Sequence, residues 1–137
     1  MTKLLALLVL LTSPSLAETW QYRVPMQVLE GGQRTMTVAI QGRKFRCIFD
    51  TGANAYDAIW IQRGAAASLG LNRKDGGGFN YYDGLSVSAG GFSRRGVLAY
   101  EYSTEWAPNT PCLVGDAFFK GEKEIMIDVD ERSLYVR

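Results

Sequence analysis

The chain has 137 residues, with 15 Lys and Arg against 14 Asp and Glu, and it contains no histidine. This balance of charge gives no reason to expect a nucleic acid or an acidic membrane as a partner. The absence of histidine excludes Ser-His and Cys-His catalytic arrangements and removes the most common zinc ligand, so a catalyst of this composition would depend on carboxylates or lysines.

The first 17 residues have the pattern of a secretory signal peptide. Lys3 precedes an apolar run at residues 4–11, and the small-residue sequence Ser15-Leu16-Ala17 predicts cleavage after Ala17. The run is short for a membrane span, so no stable membrane insertion is expected after cleavage, and a retained anchor is the alternative. The remaining 120 residues are enough for one domain, exported to a periplasm or out of the cell.

Short alternating segments dominate the first half of the remaining chain. Residues 18–33 form an N-terminal strand segment, in which Pro25 follows an edge strand. Residues 35–40 and 45–49 alternate on either side of a turn and predict a hairpin that leads to Asp50. One helix is predicted over residues 59–69, because three alanines and a closing glycine are typical of a helix and its end.

The second half continues the pattern of short strands and glycine turns. We predict strands at residues 81–87 and 96–102, joined by a loop over residues 88–95. A short helix is expected over residues 117–119, and a hairpin over residues 124–136 closes the chain. The sequence therefore predicts an all-β, barrel-like domain with one or two short helices.

Two segments carry the candidate chemistry. Phe49-Asp50-Thr51-Gly52-Ala53 ends an apolar strand in a carboxylate, and Leu113-Val114-Gly115-Asp116-Ala117-Phe118 follows about sixty residues later. Together with Leu69-Gly70-Leu71 between them, and Met126-Ile127-Asp128 and Leu134-Tyr135-Val136 after them, these segments resemble the retropepsin-like aspartic proteases, single-lobed relatives of pepsin. The resemblance covers residues 34–137 and implies a closed acid-protease barrel.

The resemblance also implies the roles of individual residues. Asp50 would be the catalytic carboxylate, completed by Asp50 of a second copy in a homodimer. Thr51 would join the two loops by hydroxyl hydrogen bonds, and Gly52 would keep the carboxylates coplanar through its amide. No cofactor or metal is implied. Peptide or protein substrates would contact a set of residues that consists of Ala53, Gly77, Gly78, Phe79, Leu113 and Val114.

The segment between Leu71 and Leu85 corresponds to the flap that covers the substrate in this family, and it is short here. Its tip would consist of residues 76–78 with Phe79, Tyr81 or Tyr82 nearby. Three consecutive glycines predict either a mobile linker or a place where backbone closely approaches another group. A short flap would exclude less water from the cleft.

Other interpretations of the acidic residues remain open. Asp-Thr-Gly also occurs where aspartate only starts a turn. Asp57 and Asp116 are candidates for a second carboxylate in the same chain, although Asp116 is better interpreted as a charge at a helix start. Asp128 and Asp130 invite a calcium interpretation, but the glycine and distal glutamate of a binding loop are missing.

The resemblance further places the two cysteines at equal offsets in neighbouring strands. Cys47 lies three residues before Asp50, and Cys112 three residues before Gly115. A disulfide is therefore expected in an exported chain, with two buried free thiols as the alternative.

The sequence supports two hypotheses of different classes. The first is an exported aspartic endopeptidase, active as a homodimer, that cleaves peptide bonds flanked by apolar residues. The second is a peptide-binding or structural module that kept the fold without useful catalysis, with an aromatic surface drawn from Tyr81, Tyr82, Tyr100, Tyr102 and Trp106. In the second case the same rings could equally belong to the core.

Overall fold

The computed structural model describes residues 20–53, 55–103, 107–120 and 124–137. The predicted signal peptide, residues 1–17, and Trp106 lie outside the described residues. Among the residues that are described, none of the helices combines the length and the apolar character needed to cross a membrane.

The described part of the chain forms short strands and two short helices. The strands are β1 (Tyr22–Pro25), β2 (Gln27–Val28), β3 (Arg34–Ile40), β4 (Arg43–Asp50), β5 (Ile59–Gln62), β6 (Lys74–Asp75), β7 (Asn80–Ala89), β8 (Phe92–Tyr102), β9 (Cys112–Gly115), β10 (Ile125–Asp128) and β11 (Ser133–Val136). The helices are α1 (Arg63–Ser68) and α2 (Asp116–Lys120).

Six of the strands close into a barrel in the order β3-β4-β9-β5-β8-β7, and the pairing of β7 with β3 completes the ring. Closure removes the exposed edges that an open sheet would leave. A separate three-stranded sheet, β1-β11-β10, contains the predicted closing hairpin. The prediction of a mostly β, closed barrel with one or two short helices is confirmed.

The barrel is filled by the inward-facing residues of its strands and by α2. In β3, Met36, Val38 and Ile40 are almost completely buried and alternate with more exposed residues, as the two-residue period of a strand requires. Phe118 and Phe119 of α2 are fully buried, and both rings pack against Phe92. The apolar area removed from water by this packing is the main stabilising contribution to the fold.

The predicted helix over residues 59–69 is wrong at its beginning. Ile59 and Ile61 are buried on one face of β5, which pairs with β8 on one side and β9 on the other. The helix itself begins only at Arg63. Burying these alternating β-branched side chains in the barrel stabilises the chain more than extending the helix would. Tertiary packing therefore determines the local structure.

The predicted loop over residues 88–95 is also wrong. Strand β7 ends at Ala89 and β8 begins at Phe92. These two residues pair directly, so the turn consists of Gly90 and Gly91 alone. Both glycines have positive φ, at 55° and 84°, as a two-residue hairpin turn of this twist requires.

A disulfide joins Cys47 of β4 to Cys112 of β9, as predicted. The two residues are register partners in a parallel pair of strands, with Cα atoms 4.6 Å apart. Both cysteines are buried, with 1% and 0% of their surfaces exposed. The bond therefore cross-links the two strands that carry the candidate catalytic segments.

Removing this bond should weaken the fold substantially. The disulfide closes a span of 65 residues, and we expect the Cys47→Ala/Cys112→Ala chain to lose about 4 kcal/mol of unfolding free energy in the chain-entropy account. Urea unfolding of the oxidised wild type and the variant measures the difference. Wild type unfolded in the presence of reductant serves as the control without a change of sequence, and equal midpoints for all three samples would contradict the prediction.

A carboxylate of β8 with little exposed surface has two polar partners. The side chain of Glu101 in β8 is only 8% exposed and forms a salt bridge of 2.7 Å with Arg73. It also accepts a hydrogen bond from the hydroxyl of Tyr82. Burial by itself would raise the pKa of Glu101, but the hydrogen bonds from Tyr82 and Arg73 outweigh it and lower that pKa. Burial, followed by the bond to Glu101, raises the pKa of Tyr82 to about 12.

These shifts predict the direction of an acid effect. Because the folded state lowers the pKa of Glu101, the resulting stability is present above the group's ordinary value of 4.5 and is lost as the pH falls below it. The difference in unfolding free energy between wild type and Glu101→Gln should therefore be larger at pH 7 than at pH 3. Glu124→Gln is a matched control, because its ion pair with Arg137 is mostly exposed and should contribute little at either pH.

Candidate active site

Asp50 ends β4 at one end of the barrel. The residues before it are buried, whereas Asp50 itself, Thr51 and Gly52 are exposed. In the parallel ladder between β4 and β9, Asp50 is the register partner of Gly115. The two predicted motif segments are therefore neighbours in the structure, and they meet at the exposed end of a buried strand pair.

The carboxylate of Asp50 is held by the turn that follows it. The N–H of Gly52 donates to Oδ1 of Asp50 over 2.8 Å, and the N–H of Ala53 donates to the Asp50 carbonyl over 3.3 Å. An amide that donates to a carboxylate fixes the orientation of the accepting oxygen. The turn therefore fixes one oxygen of a carboxylate that is exposed to solvent.

Gly115 allows the loop after Asp50 to lie directly on β9. A Cβ atom built on Gly115 would lie 1.9 Å from the carbonyl oxygen of Ala53 and 2.8 Å from the Cβ of Ala58. The N–H of Gly115 also donates to the Ala58 carbonyl over 2.7 Å. Only glycine fits at this crossing, which gives a physical reason for the glycine in the second motif.

The far end of the same loop is strained and anchored. Tyr56 and Ala58 have left-handed backbones, with φ of 47° and 56°, which is unfavourable for residues with a Cβ. Between them, Asp57 receives hydrogen bonds from the side chain of Arg94 over 2.8 Å and from the N–H of Leu98 over 2.7 Å. These bonds compensate for the strain and hold the loop against β8.

Arg94 also connects this loop to the helix that follows β9. Its guanidinium donates to the carbonyl of Phe118 over 3.3 Å and lies over the Phe118 ring at 5.5 Å. Asp57 is thus the ion-pair partner of Arg94, and this ion pair explains why a carboxylate lies at this position. The interaction joins residues 37 positions apart, and no local sequence pattern could have indicated it.

The other aspartates of the sequence analysis occupy different environments. Asp116 is the first residue of α2 and is buried, in agreement with a position at a helix start. Asp128 accepts a hydrogen bond from the N–H of Glu131 over 3.0 Å, so it orders the turn between β10 and β11.

The predicted flap is a small hairpin formed by β6 and the beginning of β7. Asp75 pairs with Asn80, and the four residues between them form the tip. The N–H of Gly76 donates to the Phe79 carbonyl, and the N–H of Gly77 donates to the Asp75 side chain, each over 2.8 Å. Gly77 and Gly78 have positive φ and open space where side chains would lie. The glycines therefore form a hydrogen-bonded turn.

The predicted substrate-contacting residues differ in their exposure. Phe79 is 45% exposed, and Ala53 lies on the loop beside Asp50. Leu113 and Val114 are 7% and 0% exposed, and Val114 belongs to the hydrophobic core. The side chain of Val114 thus packs inside the barrel, in a strand of which all four residues are buried.

Two aromatic residues beside the candidate site, Tyr56 and Trp60, were not predicted from the sequence. Tyr56 lies on the loop after Asp50, is 75% exposed, and contacts the ring of Tyr100. Trp60 contacts the same ring from β5. A signal existed in the sequence, because Tyr56 closely follows the Asp-Thr-Gly tripeptide, but its significance depends on β8 passing alongside.

Comparison with solved structures identifies the fold. The chain is similar to a crystal structure of a retropepsin-like aspartic protease from Rickettsia conorii, with a TM-score of 0.60 and 18% identity over 83% of this chain and 86% of that one. It is also similar to the retroviral protease-like domain of Ddi1 from Leishmania major, with a TM-score of 0.51 and 14% identity over 74% of this chain and 90% of that one. The fold is therefore retropepsin-like. No family model and no curated protein matches the sequence.

Adding one methyl group at Gly115 should disturb the loop that carries Asp50. The new Cβ in Gly115→Ala would overlap backbone and not a flexible side chain, so we expect a loss of about 3 kcal/mol in unfolding free energy. Urea unfolding is the measurement. The matched control is Gly64→Ala in α1, where nothing lies within 4 Å of the added atom and the substitution favours helix. Similar stabilities for the two variants would contradict the proposed crossing.

Proposed function

We propose that this protein is an exported aspartic endopeptidase, in which the Asp50 carboxylates of two identical chains activate a water molecule. The observation that carries the proposal is the geometry at Asp50. An exposed carboxylate ends a buried strand, is oriented by the N–H of Gly52, and lies beside Gly115 of the parallel strand. The retropepsin-like fold supports the same conclusion.

The proposed chemistry requires a pair of carboxylates. Two such groups held roughly 3 Å apart cannot both ionise, so they share one proton. The ionised partner removes a proton from water, and the protonated partner donates to the carbonyl of the scissile bond. Neither a histidine nor a metal takes part, which agrees with a chain that contains no histidine.

The second carboxylate is proposed to come from a second copy of the chain. Asp57 is engaged by Arg94, and Asp116 is buried at the start of α2, so neither is placed for this role. Asp50, Thr51 and Gly52 are exposed in the single chain. An exposed Asp-Thr-Gly turn is what a two-fold contact between copies requires, with the Thr51 hydroxyls linking the two turns.

The disulfide supports an oxidising location for the protein. Bonds of this kind persist in secreted and periplasmic proteins and are rare in a reducing cytosol. The bond between Cys47 and Cys112 is buried in the barrel wall, where it belongs to the folded framework. We therefore propose export to a periplasm or to the outside of the cell, directed by residues 1–17.

A peptide-binding module without efficient catalysis is the second candidate. The small hairpin at Gly76–Phe79 favours it, because a short flap covers a bound peptide less completely and excludes less water. Sedimentation separates the two functions, because a strictly monomeric chain would hold only one Asp50 and could not assemble the pair.

The decisive variant is Asp50→Asn, which keeps the shape of the side chain and removes its acid–base function. We expect peptide cleavage to fall at least about a thousandfold, in line with the loss of a general acid–base pair. Initial rates over a range of acidic pH values measure the effect. Asp130→Asn in the exposed turn after β10 is the matched control and should cleave at the wild-type rate. Cleavage that survives in Asp50→Asn would exclude the proposed mechanism.

A further inference from the structure

A groove follows the outer face of β3, on the side of the sheet that faces away from the barrel core. It consists of three hollows with volumes of about 140, 340 and 280 Å³. The first and second hollows share Pro25 and Thr37 as lining residues, and the second and third share Ala39 and Ser88. The hollows therefore adjoin one another, and we call them together the β3 groove.

The floor of the β3 groove is a row of small side chains. In β3, Thr37 and Ala39 alternate with the buried Val38 and so face outwards. Ser88 of β7 is the register partner of Ala39, and Ser93 of β8 is the register partner of Ser88. Register partners share one face of a sheet, so the floor continues from β3 to β8 and carries several hydroxyl groups.

Each hollow of the groove is lined by an exposed cation. Arg46 lines the first hollow, Lys44 the second and Arg95 the third. Arg94 also lines the third hollow, but its charge is neutralised by Asp57. In the described part of the chain, no acidic residue lines any of the three hollows. The groove therefore has a local excess of positive charge, although the chain as a whole is nearly neutral.

The lack of a partner distinguishes these three cations from other cations of the barrel. Arg73 and Lys74 each form a salt bridge of 2.7 Å with a carboxylate. Arg43, next to Lys44 in β4, lies over the ring of Phe45 at 5.6 Å. Among the residues that the structure describes, the cations of the groove have no ion pair or ring contact of this kind. They are thus available to a negatively charged ligand.

The spacing of two of the cations indicates the kind of ligand. Lys44 and Arg46 are two residues apart on the same face of β4, which corresponds to about 7 Å in a strand. Alternate side chains of an extended peptide repeat at the same distance, so an acidic residue at every second position would meet both cations. The hydroxyl groups of the floor can donate to the carbonyl groups of such a peptide and accept from its N–H groups.

Other anionic partners fit the groove less well. Single-stranded nucleic acids stack their bases on aromatic side chains, and no aromatic residue of the described chain lines the groove. Binding to a membrane surface requires large apolar side chains that insert among the lipids. The large apolar residues at the groove, such as Val24 and Met36, are buried in the core.

We propose that the β3 groove binds an extended acidic segment of another protein, in which alternate residues are Asp or Glu. Arg46 and Lys44 lie four and six residues before Asp50 in β4, so they are roughly 13 to 20 Å from the candidate active site. The groove is therefore a separate surface, and binding there does not depend on the proposed catalysis.

The test measures the binding of labelled peptides by fluorescence anisotropy, with the Asp50→Asn chain throughout so that cleavage cannot be mistaken for weak binding. A peptide of alternating Glu and Ser should bind at least about tenfold more tightly than the same peptide with Gln in place of Glu. Adding Lys44→Gln/Arg46→Gln should weaken binding of the Glu peptide about tenfold. The matched control is Lys74→Gln/Arg132→Gln, which removes the same charge from exposed positions outside the groove and should leave binding unchanged.

A peptide with the repeat Glu-Glu-Ser-Ser tests the spacing, because it has the same composition but only every fourth residue on one face is paired with the next glutamate. It should bind about threefold or more weakly than the alternating peptide. Failure of the alternating peptide to bind, equal binding of the Glu and Gln peptides, equal binding of the two Glu repeats, or equal weakening by the two double substitutions would overturn the proposal. Tighter binding of a single-stranded oligodeoxynucleotide or of phosphatidylserine vesicles than of the alternating peptide would also overturn it.

Discussion

The parallel pairing of β4 with β9 is the constraint on which the rest of the structure depends. It brings together two segments that are far apart in the chain and makes Asp50 and Gly115 neighbours. The disulfide between Cys47 and Cys112 fixes the same pair of strands from within the barrel wall. Without this pairing, Asp50 would be an ordinary surface carboxylate, because the backbone of Gly115, which carries no side chain, would not lie next to it.

The loop after Asp50 is shaped by contacts at both of its ends. At the near end, Gly115 has no side chain, and the Ala53 carbonyl occupies the space that one would need. At the far end, Asp57 is bound by Arg94 and by the backbone of β8, which compensates for two left-handed residues. The described residues of the loop are thus held by contacts at both ends, and preorganisation of this kind would support the proposed catalytic geometry.

The sequence predicted the parts of the fold that depend on local patterns and on motif order. Alternation in β3 and β4 and the ordered motifs were sufficient to predict the barrel. Prediction failed where distant strands decided the outcome. Ile59 and Ile61 begin what looks like a helix, and only the presence of β8 and β9 on either side makes them a strand.

The site was predictable to a similar extent and for similar reasons. The disulfide and the neighbouring positions of the two motif segments were predicted because the order of the motifs implies them. The catalytic roles of Asp50 and Gly52 are still predictions. The contact between Arg94 and Asp57, and the convergence of Tyr56 and Phe79 on Tyr100, depend on side chains from separate strands. The full burial of Val114 could not be predicted either, because an apolar residue beside a motif can line a cleft or belong to the core.

The central claim is that Asp50 acts as a pair, with one carboxylate from each of two chains. The most direct measurement is the activity of wild-type chains that have been refolded together with an equal amount of the Asp50→Asn chain. If dimers form at random, half of the wild-type chains acquire an inactive partner, and activity per wild-type chain should fall to about one half. Activity per wild-type chain that stays constant at every mixing ratio, although the two chains are shown to associate, would contradict the account.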